Sequence, residues 1–124
     1  MESTSWLDDV LSILASSRRR TILAVVDDAE GWMSLSTLAA AVFTHERSGR
    51  AGALSPFAIR TVETSIRHTH LPVLVENGIV EYDRNRSAVR AADIDRLSPL
   101  FGFIRRIEAD GKRPSNVGEN RFRS

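Results

Sequence analysis

No cysteine occurs in the 124 residues, which excludes disulfides, thiol nucleophiles and cysteine-bound zinc and leaves the redox setting open. Charge of one sign is also scarce. Lys and Arg total 17 against 16 Asp and Glu, a net of +1, so a nucleic-acid role would have to rest on where the cations sit. Apolar runs fall well short of the roughly 20 residues that a membrane span needs. The opening Met1-Glu2-Ser3-Thr4-Ser5 has neither a basic nor an apolar leader region. The expectation is therefore a soluble cytoplasmic protein with no membrane contact. Of the three histidines, His68 and His70 point to nearly opposite sides of a helix, and no His-x-x-x-His pair is present. Neither a metal site nor a cofactor is expected. Glycine-rich phosphate loops, a nucleophile elbow and paired carboxylates on a helix face are all missing. Asp27-Asp28 and Asp93 with Asp95 read as helix-end charges, and no enzyme is expected.

What is present suits one domain, since 42% hydrophobic and 27% charged residues are ordinary for a globular chain with a real core. The central stretch is Pro56 to Asp83, PFAIRTVETSIRHTHLPVLVENGIVEYD. Ser55-Pro56 is a favoured helix start, a capping hydroxyl before proline at the first helical position. Asn77-Gly78 stops the helix, and Pro72 should kink it. Ile59, Val62, Ile66 and Val73 form an inward stripe at 3.6 residues per turn. Thr61, Thr64 and His68 lie opposite, flanked by Arg60 and Arg67, with Glu63 the one acid nearby. Such a face can contact phosphates and base edges, or it can be an ordinary solvated helix surface.

Upstream, residues 6–15 predict a helix with Trp6 or Leu7, Val10, Leu11 and Leu14 inward. Ser16 or Ser17 then caps a second helix, 18–27, carrying Ile22, Leu23, Val25 and Val26. Arg18, Arg19 and Arg20 stand in its first turn, against the helix dipole. They are either possible phosphate contacts or a solvated turn paired with Asp8, Asp9 or Asp27. Glu30-Gly31 predicts a turn and 32–35 a short strand. Ser36 predicts the N-cap of a helix through Leu38, Ala39, Ala41, Val42 and Phe43. Residues 44–55 read as a loop, longer than most helix–helix connections.

Downstream, strands 79–83 and 87–91 predict a hairpin with Arg84, Asn85 and Arg86 at its tip, asparagine supplying the left-handed conformation. A last helix within about 94–109, starting at Asp93 or at Ser98-Pro99, carries the apolar stripe Leu97, Leu100, Phe101, Ile104 and Ile107. That stripe either completes the core or pairs with a second copy. Residues 110–124 are poor in apolar side chains and rich in charge, and are expected to be a disordered basic tail. No internal repeat is found.

The order of elements is that of a winged helix-turn-helix, and several motifs are similar to those of one group. Leu14-Ala15-Ser16-Ser17-Arg18-Arg19-Arg20 followed by Ile22-Leu23 resembles the opening of ArsR/MarR-like regulators of archaea and bacteria. Leu35-Ser36 with Leu38-Ala39 resembles their second helix start. His70-Leu71 with Leu74, then Gly78-Ile79-Val80, resembles the end of their recognition helix. With Pro72 and Glu81-Tyr82-Asp83 added, the pattern looks closest to an uncharacterised archaeal family, the haloarchaeal winged-helix domains. The resemblance spans roughly residues 7–92.

It implies a mainly α fold with a small β-hairpin (α+β) over residues 1–109. It further implies a homodimeric transcription regulator binding double-stranded DNA. Arg60, Thr61, Thr64, Arg67, His68, Arg84, Asn85 and Arg86 would touch the duplex, and Leu97, Leu100, Phe101, Ile104 and Ile107 would form the dimer interface. The rival expectation is a protein–protein interaction module on the same fold without DNA binding. The sequence names no small-molecule effector.

Overall fold

A single residue, Ser16, separates the first two helices. Its extended backbone lets its hydroxyl accept the Arg19 N–H at 3.2 Å, so one serine ends α1 (Glu2–Ala15) and caps α2 (Ser17–Asp28). This computed structural model describes residues 2–47 and 55–110, with side chains from Trp6 to Ala109. The expectations for residues 48–54 and for the 111–124 tail lie outside the described residues.

The chain divides into two units, Met1–Ile94 and Asp95–Ser124. In the first, α1 buries Val10, Ile13 and Leu14, while Trp6, Leu7 and Leu11 stay exposed. This corrects the expected face: the buried arc is rotated toward Ile13, away from Leu11. Thr21, Ile22, Leu23 and Val26 are the inward positions of α2, and Val25 is only half-buried. Gly31, at φ +99°, makes the turn into β1 (Met33–Ser34).

The expected cap at Ser36 is displaced. Ser34 performs that role, accepting the Thr37 N–H at 3.0 Å, and Leu35 is already helical and fully buried. Either hydroxyl could cap; the one that lets Leu35 enter the core prevails. The helix it starts, α3 (Leu35–Glu46), buries Leu38, Ala39 and Val42. It runs two turns' worth of side chains past Ala39 and into the segment expected to be loop. Glu46 in its last turn is bound by both Arg18 nitrogens at 2.7 Å, which holds that turn against α2.

Ser55 and Pro56 start α4 (Pro56–Ser65) as anticipated, with the Ser55 hydroxyl accepting the Ala58 N–H at 3.2 Å. In place of a simple kink, the helix widens into a π-turn over Ile66–His70, where the Leu71 N–H reaches back five residues to the Ile66 carbonyl. It then continues as α5 (Leu71–Glu76). Pro72 cannot donate to the preceding turn, and the extra residue per turn resets the phase. Val62, Ile66, His70, Leu71 and Leu74 thereby share one buried side, while Ile59 and Val73 are only half-buried. The end of α5 is a Schellman motif: Ile79 N–H bonds to Leu74 O and Gly78 N–H to Val75 O, both at 2.9 Å, with Gly78 at φ +74°.

Space is open around the Cβ that Gly78→Ala would add, so the cost of this substitution is backbone strain alone. It is expected to lower stability by about 1 kcal/mol, read as a shift in denaturation midpoint at constant slope.

Strands β2 (Val80–Asp83) and β3 (Ala88–Ala91) pair antiparallel from Val80 opposite Ala91 to Asp83 opposite Ala88. β1 adds to the other side of β3, Met33 opposite Val89. The expected two-stranded hairpin is thus part of a three-stranded sheet, ordered β1-β3-β2. The ladder runs on into the start of α3, since the Leu35 N–H donates to the Ser87 carbonyl at 2.8 Å. At the tip, the Asp83 carboxylate accepts the N–H groups of Asn85 and Arg86 at 3.0 and 3.2 Å. The left-handed position falls to Ser87, at φ +48°, and not to Asn85 as expected. The first unit is mainly helical, with its fully buried side chains drawn from α1, α2, α3, the π-turn, α5, Ile79 before β2, and β3.

The second unit begins as the 3-10 turn Ile94–Leu97 closes, and α6 (Ser98–Asp110) starts at the predicted Ser-Pro. Leu97 and Phe101 are 1% and 4% exposed in a single chain, and Leu100 and Ile104 are half-buried. Phe103 and Ile107 are the exposed apolar side chains of α6, and Arg105 lies 5.5 Å from the Phe101 ring centre.

Candidate nucleic-acid interface

α4 packs on α3 and carries its polar side outward. Arg60, Thr61 and Thr64 are exposed there, and His68 is exposed on the π-turn that follows. The Thr61 hydroxyl donates to the Phe57 carbonyl at 3.1 Å, so it offers lone pairs outward and no proton unless that bond is given up. Arg67 is half-buried. Its Nη2 bonds the Glu63 carboxylate at 2.9 Å, one helical turn back. The guanidinium is held above its ordinary value, first by the Tyr82 hydroxyl and then by Glu63. Arg67 therefore has Glu63 as a partner before it can serve any ligand.

The hairpin tip exposes Arg84, Asn85 and Arg86. Arg86 stands 3.8 Å from Asp83 and 5.1 Å from the Trp32 ring centre. Arg90 packs on the same ring at 4.7 Å while bonding Glu81, its cross-strand partner, at 2.7 Å. Trp32 is thus the aromatic platform on which the tip arginine Arg86 and the strand arginine Arg90 both pack, a role sequence reading did not assign. Among the described residues neither Arg60 nor Arg84 has an ion pair, which makes them the guanidiniums most available to an external anion.

Each arginine of the Arg18–Arg20 run has a partner within the protein. Arg18 bonds Glu46 with two nitrogens, and that bond holds its guanidinium above the ordinary value. Arg19 donates to the carbonyls of Ile13 and Ser12 at 3.2 and 2.9 Å, and Arg20 to that of Leu14 at 2.7 Å. These carbonyls are the unsatisfied C-terminal end of α1. Two of the three cations opposed to the dipole of α2, Arg19 and Arg20, are therefore set against the favourable end of α1. The acids named as partners in sequence, Asp8, Asp9 and Asp27, are not the ones used.

His70 is packed, as expected. It is 9% exposed, and its Nδ1 lies 3.3 Å from Arg19 Nη1. Arginine can only donate, so Nδ1 is the acceptor and the ring proton sits on Nε2. Burial first, and the Arg19 charge second, hold its pKa below the ordinary 6.5. The unfolded chain takes up a proton that folded His70 refuses. Stability is then complete above the unfolded value and falls as pH drops below it toward the folded one. The denaturation midpoint should decline between about pH 7 and pH 5, and His70→Gln, which keeps an acceptor for Arg19, should decline less. Equal slopes for the two proteins would remove this account.

Among the described residues no cluster of His, Asp or Glu could hold a metal ion, and no helix is long and apolar enough to cross a membrane. The fold and this face define an α+β domain with a cationic helix and hairpin on one side. The chain belongs to the family described as Domain of unknown function (DUF7344), which it matches over residues 11–90. That stretch ends within β3 and leaves out all of the second unit. No curated protein matches the chain, and no solved structure matches it.

Proposed function

We propose that this protein is a winged helix-turn-helix regulator that binds double-stranded DNA. In this reading α4 and the π-turn enter the major groove while the β2–β3 tip lies along the flanking backbone. The observation that carries it is the outward set Arg60, Thr64, His68 on the helix together with exposed Arg84, without an ion pair among the described residues, on the hairpin that follows. Arg60 and Arg84 hold phosphates. Thr64 and His68 face the bases. Thr61 accepts from a base amino group, and Arg67 positions the helix against the hairpin through Tyr82. Asn85 and Arg86 supply backbone contacts at the tip, oriented by Asp83 and Trp32.

Two copies act together. Phe103 and Ile107 on α6, 53% and 41% exposed, flanked by the half-buried Leu100 and Ile104, form the surface a second copy covers. Leu97 and Phe101 stay inside the single chain. Sedimentation of Phe103→Glu against the unaltered protein tests the pairing; a monomer in both cases ends it.

One observation favours a protein–protein module instead: Trp6, Leu7 and Leu11 leave an apolar face on α1 uncovered. A gel-shift titration separates the readings. Retardation of a duplex from the protein's own upstream region that weakens steeply with salt supports DNA binding. Absence of retardation of specific and random duplexes at low salt supports the module.

A further inference from the structure

Between the long helix and the hairpin lies an open cleft of about 640 Å³, within the roughly 300–1,000 Å³ typical of small-molecule sites. Its floor is apolar. Leu71 comes from below, and Pro72 and Val75 line it although both are exposed to solvent. The hairpin contributes the Tyr82 ring. Arg67 stands on the helix bank and Arg84 on the hairpin bank, with His68 beside them and no carboxylate among the lining residues. Glu63, the partner of Arg67, occupies one of its nitrogens, and Arg84 has no ion pair among the described residues.

A solvated surface has no need of an apolar floor, and a DNA phosphate has no use for one. Hydrocarbon below and two guanidiniums above match a molecule with both properties. The geometry points to a binding site for an amphiphilic organic carboxylate, its head group bridging Arg67 and Arg84 and its hydrocarbon body on Leu71, Pro72 and Val75. A guanidinium fork holds a carboxylate with two parallel hydrogen bonds, and the floor rewards each methylene removed from water. Cationic ligands are repelled by the same pair.

Arg67, His68 and Arg84 also belong to the proposed DNA surface. Occupation of the cleft therefore withdraws the Arg84 guanidinium and covers His68, and the carboxylate acts as a releasing effector. This regulatory half rests on the DNA-binding reading, whereas the binding half stands without it.

The test titrates octanoate into the full chain and follows backbone amide shifts by NMR, with 1-octanol and inorganic phosphate as separate probes. Octanoate is expected to shift the amides of Leu71, Val75, Tyr82 and Ser87 saturably. Arg84→Gln should weaken it about tenfold, the scale of one charge-assisted contact, and the other two probes should bind those amides far more weakly. Octanoate at saturation should also release a bound duplex. No saturable shift at these amides, equal binding of octanol or phosphate, or an unchanged affinity in Arg84→Gln would each overturn the site. Octanoate binding without any duplex binding would keep the cleft and end the DNA reading. Duplex binding that octanoate cannot disturb would end the releasing role.

Discussion

Replacing Arg60 and Arg84 together by glutamine is expected to lower affinity for duplex DNA about a hundredfold in low salt, close to tenfold for each lost phosphate contact. The same change should flatten the plot of log affinity against log salt by about 1.8, since each neutralised phosphate contributes about 0.9. These two arginines are chosen because both are exposed and neither has an ion pair among the described residues. They stand on different elements, one on α4 and one at the hairpin tip, so the double variant asks whether helix and hairpin touch the same ligand. Arg18→Gln is the comparison. Its guanidinium belongs to Glu46, and the salt slope should stay at the unaltered value. A slope that is the same in all three proteins would mean that the cationic face does not meet phosphates.

The second large effect concerns the fold. Ile66→Ala should lower stability by about 3–4 kcal/mol, within the range for fully buried aliphatic side chains. Ile66 is completely buried at the point where α4 widens, and its carbonyl receives the π-turn's hydrogen bond. Removing three carbon atoms there leaves a cavity between elements that cannot close without moving the turn. Against the roughly 5–15 kcal/mol that holds a domain of this size together, that loss is a large fraction. Val75→Ala, further along in α5 and exposed, should cost less than about 0.5 kcal/mol. Denaturant unfolding at constant slope reads both. Near-equal costs would mean that the helix does not present Ile66 to the core.

How much of this was legible in the sequence follows from the range of the forces involved. Local chemistry marked the ends of the long helix well: Ser55-Pro56 and Asn77-Gly78 act within a few residues of themselves, and both work as read. Two short strand candidates around Arg84-Asn85-Arg86 gave the hairpin. Choices decided by distant partners were out of reach. Ser34 and Ser36 are equivalent as caps until Leu35 is known to be buried. The destination of Arg18 is Glu46, 28 residues away, and nothing near either residue indicates the other. Pro72 announced a disturbance in the helix, but periodicity alone could not distinguish a bend from an extra residue. Asn85 was the better left-handed residue by propensity, and it lost that place because Asp83 captures the amides around it.

In the candidate site, the outward positions Arg60, Thr61, Thr64 and His68 came from helical phase alone. The ion pair of Arg67, the donor already used by Thr61 and the packing of arginines on Trp32 did not. The first two are contacts at four-residue spacing along the helix that phase alone does not select, and the third depends on geometry between elements. The role of the α6 stripe could not be assigned in sequence for a similar reason: an apolar face reads the same whether it meets its own chain or another.

Arg19 holds the end of α1 with two nitrogens and touches His70 with a third, in the middle of the long helix. A shift of α1 therefore cannot stay local. If the first helix is pulled away, the imidazole loses its donor, and a disturbance that began at Trp6 or Leu11 arrives one residue before Leu71. The guanidinium works as a crank, joining the outermost helix of the domain to the rod that carries its cations.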